Sequence, residues 1–492
     1  MTTGRASRNR FRAGGVLSGA GMPVVAVVAV VAAVLAVGGL VLATNSDLRT
    51  HHVTVDGVPL DEVHPAASGR RPGVVVAHGF AGSARLMAPF GDTLAARGYV
   101  VVLLDFAGHG ASTRRLTGDA VLQRDLDVAV AHLRSLPDVD PARIALVGHS
   151  MGAGAVAEYG ASHPDVTATV AISLPDATGL PPDRPEHLLL LVGGLEFPQF
   201  RAAVDEAAKG RDRTAVTVPG VEHISILYAP RTHREVVRWL DQNLGATSGP
   251  LPTPLRRPAG AGLMLLGFLI GLYPPARLVL GDSGARWPRF RLDLLPRVLA
   301  VSAVAALLGL VVAAVLPNGR FPLATAGFVV AFTLVLGGAL IAYQVWRGPK
   351  WSEPASYRAV VALPLFVAYA GAAVAVPLQV GVAHAVPVGI RWWLLLVVWA
   401  GFAALAYGAE RFAGPNALAV SAVATIALTL AAGLGLANGF LVLVVPLIAV
   451  LLFWQAVWSA ILRRFSAPTW AIAPVGALVV AWPLATALPI TG

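Results

Sequence analysis

The 492-residue chain has no cysteine. That absence excludes disulfides, thiol catalysis and cysteine metal sites, and it leaves the redox compartment undecided. No metal-ligand spacing occurs, so no metal is expected, and the chemistry that the globular segment carries needs no other cofactor. Charge is scarce too: 13% of residues are charged against 56% hydrophobic, too apolar a balance for a soluble protein of this length. A membrane protein is therefore the first reading. The net charge of +10 does not point to nucleic acid, because the basic residues are almost all arginine and many lie beside apolar runs, where they act as topology signals.

Long hydrophobic runs are what the chain does have. Met22 to Ala43 is long enough to cross a ~30 Å hydrocarbon core as a helix, and it follows Arg5, Arg8, Arg10 and Arg12. A signal peptide cleaved after Val41-Leu42-Ala43 is the rival to a retained anchor, although the run exceeds a usual signal core. Further apolar stretches recur near 259–276, 298–316, 322–345, 359–378, 392–409, 416–435, 439–461 and 469–489, giving nine spans with the first. The spans at 392–435 are the softest, since only Glu410 to Asn416 separates them.

With the N-terminus inside, Arg277, Arg286, Arg289, Arg291, Arg297, Arg347, Lys350, Arg358, Arg411, Arg463 and Arg464 fall on the cytoplasmic side. Only Arg256, Arg257, Arg320 and Arg391 lie in the short outer segments. This bias predicts a basic cytoplasmic N-terminus (1–21), a first transmembrane helix (22–43), an extracytoplasmic globular domain (45–249) and a multi-span domain (259–490) in the plasma membrane. The later spans carry almost no ionisable residue at mid-membrane, which favours a scaffold or lipid-facing platform over a proton-coupled pump.

The globular segment holds the chemistry. His52 to Val63 reads as a hairpin turning at Asp56-Gly57, while Val74 to Ala77, Val100 to Leu104 and Ile144 to Val147 read as strands buried on both faces. Helix-like stretches at Ala84 to Arg97 and Gly118 to Leu136 separate them, the alternation of a parallel sheet. Ligands of such sheets bind beyond the carboxyl ends of the strands, and there the polar motifs fall. His78-Gly79-Phe80 follows one strand, Asp105 to Ser112 the next, and Gly148-His149-Ser150-Met151-Gly152 the third. Ser150 is thus a candidate nucleophile on a tight strand-to-helix turn, where side chains at Gly148 and Gly152 would collide. Downstream runs lead into Gly193-Gly194-Leu195-Glu196 and Gly220-Val221-Glu222-His223. Serine, acid and histidine follow in that order, each at a strand end.

On these motifs residues 52–244 resemble an α/β-hydrolase of the compact dienelactone-hydrolase or serine-esterase type, inserted between the first transmembrane helix and a bundle of about eight more. The resemblance implies Ser150 as nucleophile, His223 as general base and acid, Glu196 as orienting carboxylate, and the N–H groups of Phe80 and Met151 as oxyanion hole. The acid is usually aspartate in that family, and Asp176 is the alternative here. Gly79, Gly148 and Gly152 are supporting positions, and His78 is expected to hold the oxyanion loop. His109 and His149 are expected to line the site, Asp105 to brace its loop, and Glu222 to be solvated. Ser150 as a plain helix cap and His223 as a loop histidine are the competing readings.

Only Leu174 to His187 stands where a cap is often inserted, so an open acyl site is expected. The function expected is hydrolysis of an ester or related acyl bond of a lipophilic, lipid-derived substrate, with membrane lipid as the other partner and no nucleic acid. The alternatives are an acyltransferase with the same triad, or a transporter or sensor with a hydrolase-like binding domain. Oligomeric state is not legible.

Overall fold

The computed structural model describes residues 22–44, 48–66, 69–245, 249, 251–281, 287, 289–348 and 356–492. The basic segment 1–21 and the loop cations Arg286 and Lys350 lie outside them. After an apolar helix, α1 (Met22–Thr44), come β1 (Arg49–Val55), β2 (Val58–His64), β3 (Arg71–Ala77), α2 (Ala88–Ala96), β4 (Val100–Leu104), α3 (Asp119–Ser135), β5 (Val139–His149), α4 (Met151–Ser162), β6 (Ala168–Ile172), β7 (Leu188–Gly193), α5 (Pro198–Ala207), β8 (Arg213–Val218) and α6 (Pro230–Leu244).

Asp56 and Gly57 adopt φ of 48° and 79°, the positive angles of a two-residue hairpin turn that matches strand twist. The eight-stranded sheet is ordered β1-β2-β4-β3-β5-β6-β7-β8. It is antiparallel through β1, β2 and β4 and parallel thereafter. Its central strands are aliphatic because both faces are covered. Met87, Phe90, Leu94 and Leu240 from the α2 and α6 side pack on one face, while Leu126, Leu133 and Val156 of α3 and α4 pack on the other. The helix expected from Ala84 begins only at Ala88: residues 84–87 form tight turns, with the Leu86 N–H on Ser83 O at 3.0 Å and the Ala88 N–H on Arg85 O at 3.2 Å, and the Ala84 N–H is held by the Asp105 carboxylate at 2.7 Å.

The rest of the chain is helical: α7 (Arg256–Gly271), α8 (Tyr273–Leu280), α9 (Leu295–Val315), α10 (Ala326–Trp346), α11 (Tyr357–Gly381), α12 (Arg391–Ala413), α13 (Ala417–Gly433), α14 (Leu441–Arg464) and α15 (Thr469–Ala487). Among the described residues eight stretches are long and apolar enough to cross a membrane, α1 included. The longest, Arg391–Gly433, turns at Gly414 (φ 54°) into α12 and α13. Both far ends of that pair return to the sheet domain, Arg391 to Gly108 and Phe440, just beyond α13, to Phe80. Small residues allow the closest helix contact. A Cβ on Gly39 would lie 2.5 Å from the Gly260 carbonyl oxygen, and one on Gly267 2.8 Å from that of Ala32, so α1 and α7 meet backbone to backbone.

Two devices fasten the sheet domain to the helices. Asp92 of α2, buried, accepts from Arg256 at 2.8 Å and from Arg257 at 2.7 and 2.8 Å. The segment after α15 threads between the halves: Ile490 N–H donates to Gly108 O (2.8 Å), Leu116 N–H to Ile490 O (2.9 Å), and Thr491 N–H to Pro322 O (2.8 Å). Of the arginines read as outer-side topology signals, Arg256, Arg257 and Arg391 thus also serve as interdomain donors.

Candidate active site

Six consecutive parallel strand ends converge on one edge of the sheet. At the end of β5, Ser150 has φ 53° and ψ −118°, a sparsely populated conformation for a residue with a side chain. Its N–H is held by Ile172 O at 2.8 Å. The glycines around it are sterically required. A Cβ on Gly152 would stand 2.6 Å from the carbonyl oxygens of Ala77 and His78, and one on Gly148 would run into the Gly152 carbonyl. Gly79 is equally confined, with Ser150 Cβ 3.0 Å from its missing Cβ.

Ser150 Oγ lies 3.1 Å from His223 Nε2, and His223 Nδ1 makes a short hydrogen bond to Glu196. Because a carboxylate only accepts, Nδ1 carries the proton and Nε2 is left as the acceptor facing the serine. The second Glu196 oxygen accepts from the Ser173 hydroxyl at 3.0 Å and the Gly193 N–H at 3.3 Å. Glu196, His223 and Ser150 are 3%, 4% and 8% exposed, so the chain of hydrogen bonds runs through a nearly dry site. Asp176 is not part of it: that carboxylate is exposed and accepts from the Thr178 N–H and hydroxyl, which hold it below its usual range.

The neighbouring histidines are structural in their contacts. His78 Nδ1–H donates to Gly79 O at 2.7 Å, and its Nε2 accepts the Phe106 N–H at 3.2 Å, tying the ends of β3 and β4 together. His149 donates to the His223 carbonyl at 2.9 Å, and its ring centroid is 4.8 Å from that of His223. Burial, then the nearby His223, push the His149 pKa down to about 3. Burial likewise lowers His78 and His109. His109 donates to Ala107 O at 3.0 Å, and its ring lies 5.7 Å from Phe80. Asp105 accepts from the N–H groups of Ala84 and Ala111 at 2.7 and 2.8 Å. Glu222 is exposed but not merely solvated, since it accepts from the N–H groups of Ile224 and Ser225 at 2.9 and 2.7 Å and so fixes the turn after His223.

The Phe80 N–H has no protein acceptor among the described residues, and Met151 opens α4, where N–H groups have no preceding turn to bond. Both N–H groups, one in the loop after β3 and one on the residue following Ser150, are without a protein acceptor among the described residues. The Phe80 ring packs 4.1 Å from Phe440, between α13 and α14. Ser83 Oγ accepts the His384 N–H at 3.1 Å, from the α11–α12 loop. The 174–187 segment adds no cap, yet the expectation of an open site is corrected: the triad side chains are buried, and bundle loops pack over the oxyanion side. A cavity of about 540 Å³ lies along α4, touching this site at Met151 and bounded by Leu122, Leu174 and Leu180.

Sequence reasoning missed Ser173, Phe440 and Arg391. Ser173 was findable, because it ends β6 as the other site residues end their strands. Arg391 is fully buried and donates to the carbonyls of Ala485 (2.7 Å), Leu488 (2.8 Å) and Gly108 (2.6 Å).

Comparison with known proteins finds similarity over the sheet domain. Residues 69–216 match the family described as Serine aminopeptidase, S33. A Mycobacterium phage D29 protein named as a non-heme haloperoxidase is 35% identical over 130 residues, 26% of this chain and 44% of that protein. The quorum-quenching protein AidA of Acinetobacter baumannii is 30% identical over 111 residues, 22% of this chain and 36% of its own length. An uncharacterized Mycobacterium tuberculosis protein is 30% identical over 167 residues, 33% of this chain and 51% of that one. The chain thus spans about half or less of these relatives.

Proposed function

We propose that this chain, whose residues 69–216 lie within an α/β-hydrolase domain, is a membrane-anchored serine hydrolase acting on an ester or related acyl bond of a lipophilic substrate. The observation that carries the reading is the continuous hydrogen-bond chain from Ser150 through His223 to Glu196, with the serine on a strained turn. Ser150 Oγ attacks the acyl carbonyl as His223 Nε2 takes its proton, and Glu196 stabilises the imidazolium. The Phe80 and Met151 N–H groups receive the oxyanion, each such donor lowering the barrier by about 2.7–4 kcal/mol. His223 returns the proton to the leaving alcohol, and water then releases the acyl group by the same steps.

A lipophilic substrate is favoured because helices of membrane-spanning length flank the domain on both sides in sequence and residues between them contact the loop after β3 at Phe80 and Ser83. Arginines at the helix ends away from the sheet domain, such as Arg297, Arg347 and Arg464, support placing that end in the cytoplasm and the hydrolase domain outside the plasma membrane. The backbone contact of α1 with α7 supports α1 as a retained anchor. A reporter fused after Gly249 is then active only outside, and one fused near Arg289 only inside.

Burial of Ser150 and His223 favours one second reading, transfer of the acyl group to an alcohol rather than to water. Full-length protein given nitrophenyl esters of increasing chain length, with and without an alcohol acceptor, tests both. Turnover that is abolished in Ser150→Ala is expected, and the acyl product identifies the acceptor. Absence of both acid and transferred ester from folded protein would leave only a binding domain.

A further inference from the structure

At the end of the bundle remote from Ser150, α9, α10 and α12 border an open cavity of about 500 Å³ lined by Gln344, Tyr407 and Arg411 together with the exposed Arg297 and Arg347. We propose that this cavity is a binding site for a phosphate-bearing anion, whether a phospholipid headgroup or a soluble phosphate ester.

The charge balance argues for it. Arg297 and Arg347 share the cavity with Arg411, which has a partner of its own, and the only carboxylate on α9, α10 or α12 is Glu410, which is buried and paired with Arg463. Asp293, just before α9, is paired with Arg291 at 2.7 Å. Among the described residues no carboxylate pairs with Arg297 or Arg347. A role in topology alone requires only that arginines lie on one side of the membrane, not that they converge on a cavity.

The cations are also held in place. The Arg297 and Arg347 guanidinium carbons each lie 5.6 Å from the centroid of the Tyr343 ring, and Arg297 lies 5.9 Å from that of Phe412. Arg347 Nε donates to Tyr343 Oη at 3.1 Å, and Gln344 is fixed by its bond to Arg411 O at 3.1 Å. Two like charges gathered at one ring repel each other, and an anion between them removes that cost. Guanidinium forks match phosphate oxygens bidentately, and basic pockets between membrane helices suit phosphate headgroups. Trp346, 80% exposed at the same helix end, is the residue type that favours the headgroup level.

The test uses full-length protein in neutral detergent, with thermal unfolding and native mass spectrometry read against dioctanoyl phosphatidylglycerol, dioctanoyl phosphatidylcholine, glycerol phosphate and inorganic phosphate. Saturable binding of phosphatidylglycerol, at least tenfold tighter than phosphatidylcholine and weakened at least tenfold in Arg297→Gln/Arg347→Gln, is expected for a lipid headgroup. The same dependence with glycerol phosphate or inorganic phosphate supports the site and assigns it a soluble anion. Arg289→Gln/Arg358→Gln removes equal charge outside the cavity and should leave binding unchanged. If that control weakens binding as much, or if no phosphate compound binds to folded wild type, the proposal is overturned.

Discussion

Glu196→Gln is the substitution whose outcome the geometry specifies most closely. The side chain keeps its shape, so the question is which way the amide faces. On the far side of the carboxylate stand the Ser173 hydroxyl at 3.0 Å and the Gly193 N–H at 3.3 Å. The hydroxyl can turn to accept, but the backbone N–H cannot. The amide oxygen therefore faces Gly193, and the NH₂ faces His223 Nδ1. That nitrogen must then accept, which moves the imidazole proton to Nε2, where it points at Ser150 Oγ and disables the base. A wrong tautomer of this kind lowers kcat by about 10⁴, about 5.4 kcal/mol of barrier. KM should change little, and stability should stay within about 1.5 kcal/mol because the packing is retained. Steady-state ester hydrolysis alongside thermal unfolding measures both. Asp176→Asn should leave turnover within twofold, its carboxylate being engaged with Thr178. Glu196→Gln retaining a tenth of wild-type turnover would refute the reasoning, and an inactive Asp176→Asn would move the acid to the earlier strand end.

Arg391→Met leaves up to three buried carbonyls without this donor, at about 1–3 kcal/mol for each left unpaired. It should lower both thermal stability and turnover, with Arg391→Lys intermediate; unchanged unfolding would show that the tie to Gly108 carries no load. Acid should destabilise the sheet domain through His149. Its folded pKa of about 3 lies below the ordinary 6.5, so the unfolded chain binds the proton first, and this stability is complete above about pH 6.5 and is lost as pH falls. At pH 5 the loss is about 2 kcal/mol. The shift in unfolding temperature between pH 7.5 and 5 should shrink in His149→Gln, and an equal shift in both proteins would contradict it.

Local rules carried the reading of the sheet domain a long way. Aliphatic runs that end in glycine and polar residues mark strands whose ends share one edge, and this placed Ser150, Glu196 and His223 from sequence. The same rule applied to β6 would have found Ser173. What local rules do not carry is contact between distant segments. Arg391 meets Gly108, Phe440 meets Phe80, and the Leu116 N–H donates to Ile490 O, yet neither partner in each pair bears a pattern that announces the other. An arginine at a helix start reads as a topology signal in sequence, whether it faces solvent or three carbonyls. For that reason the covering of the site by the bundle loops was invisible, and the short 174–187 segment alone implied an open site.

Mapping the adduct of a fluorophosphonate probe tests the central claim most directly, because a serine reacts with it only when a base activates the hydroxyl and donors hold the oxyanion. Folded full-length protein should carry one phosphonate on the peptide containing Ser150, none in Ser150→Ala, and far less in His223→Ala. Folded protein that stays unlabelled under conditions where the probe reaches the site, or that is labelled elsewhere with Ser150 untouched, would contradict it.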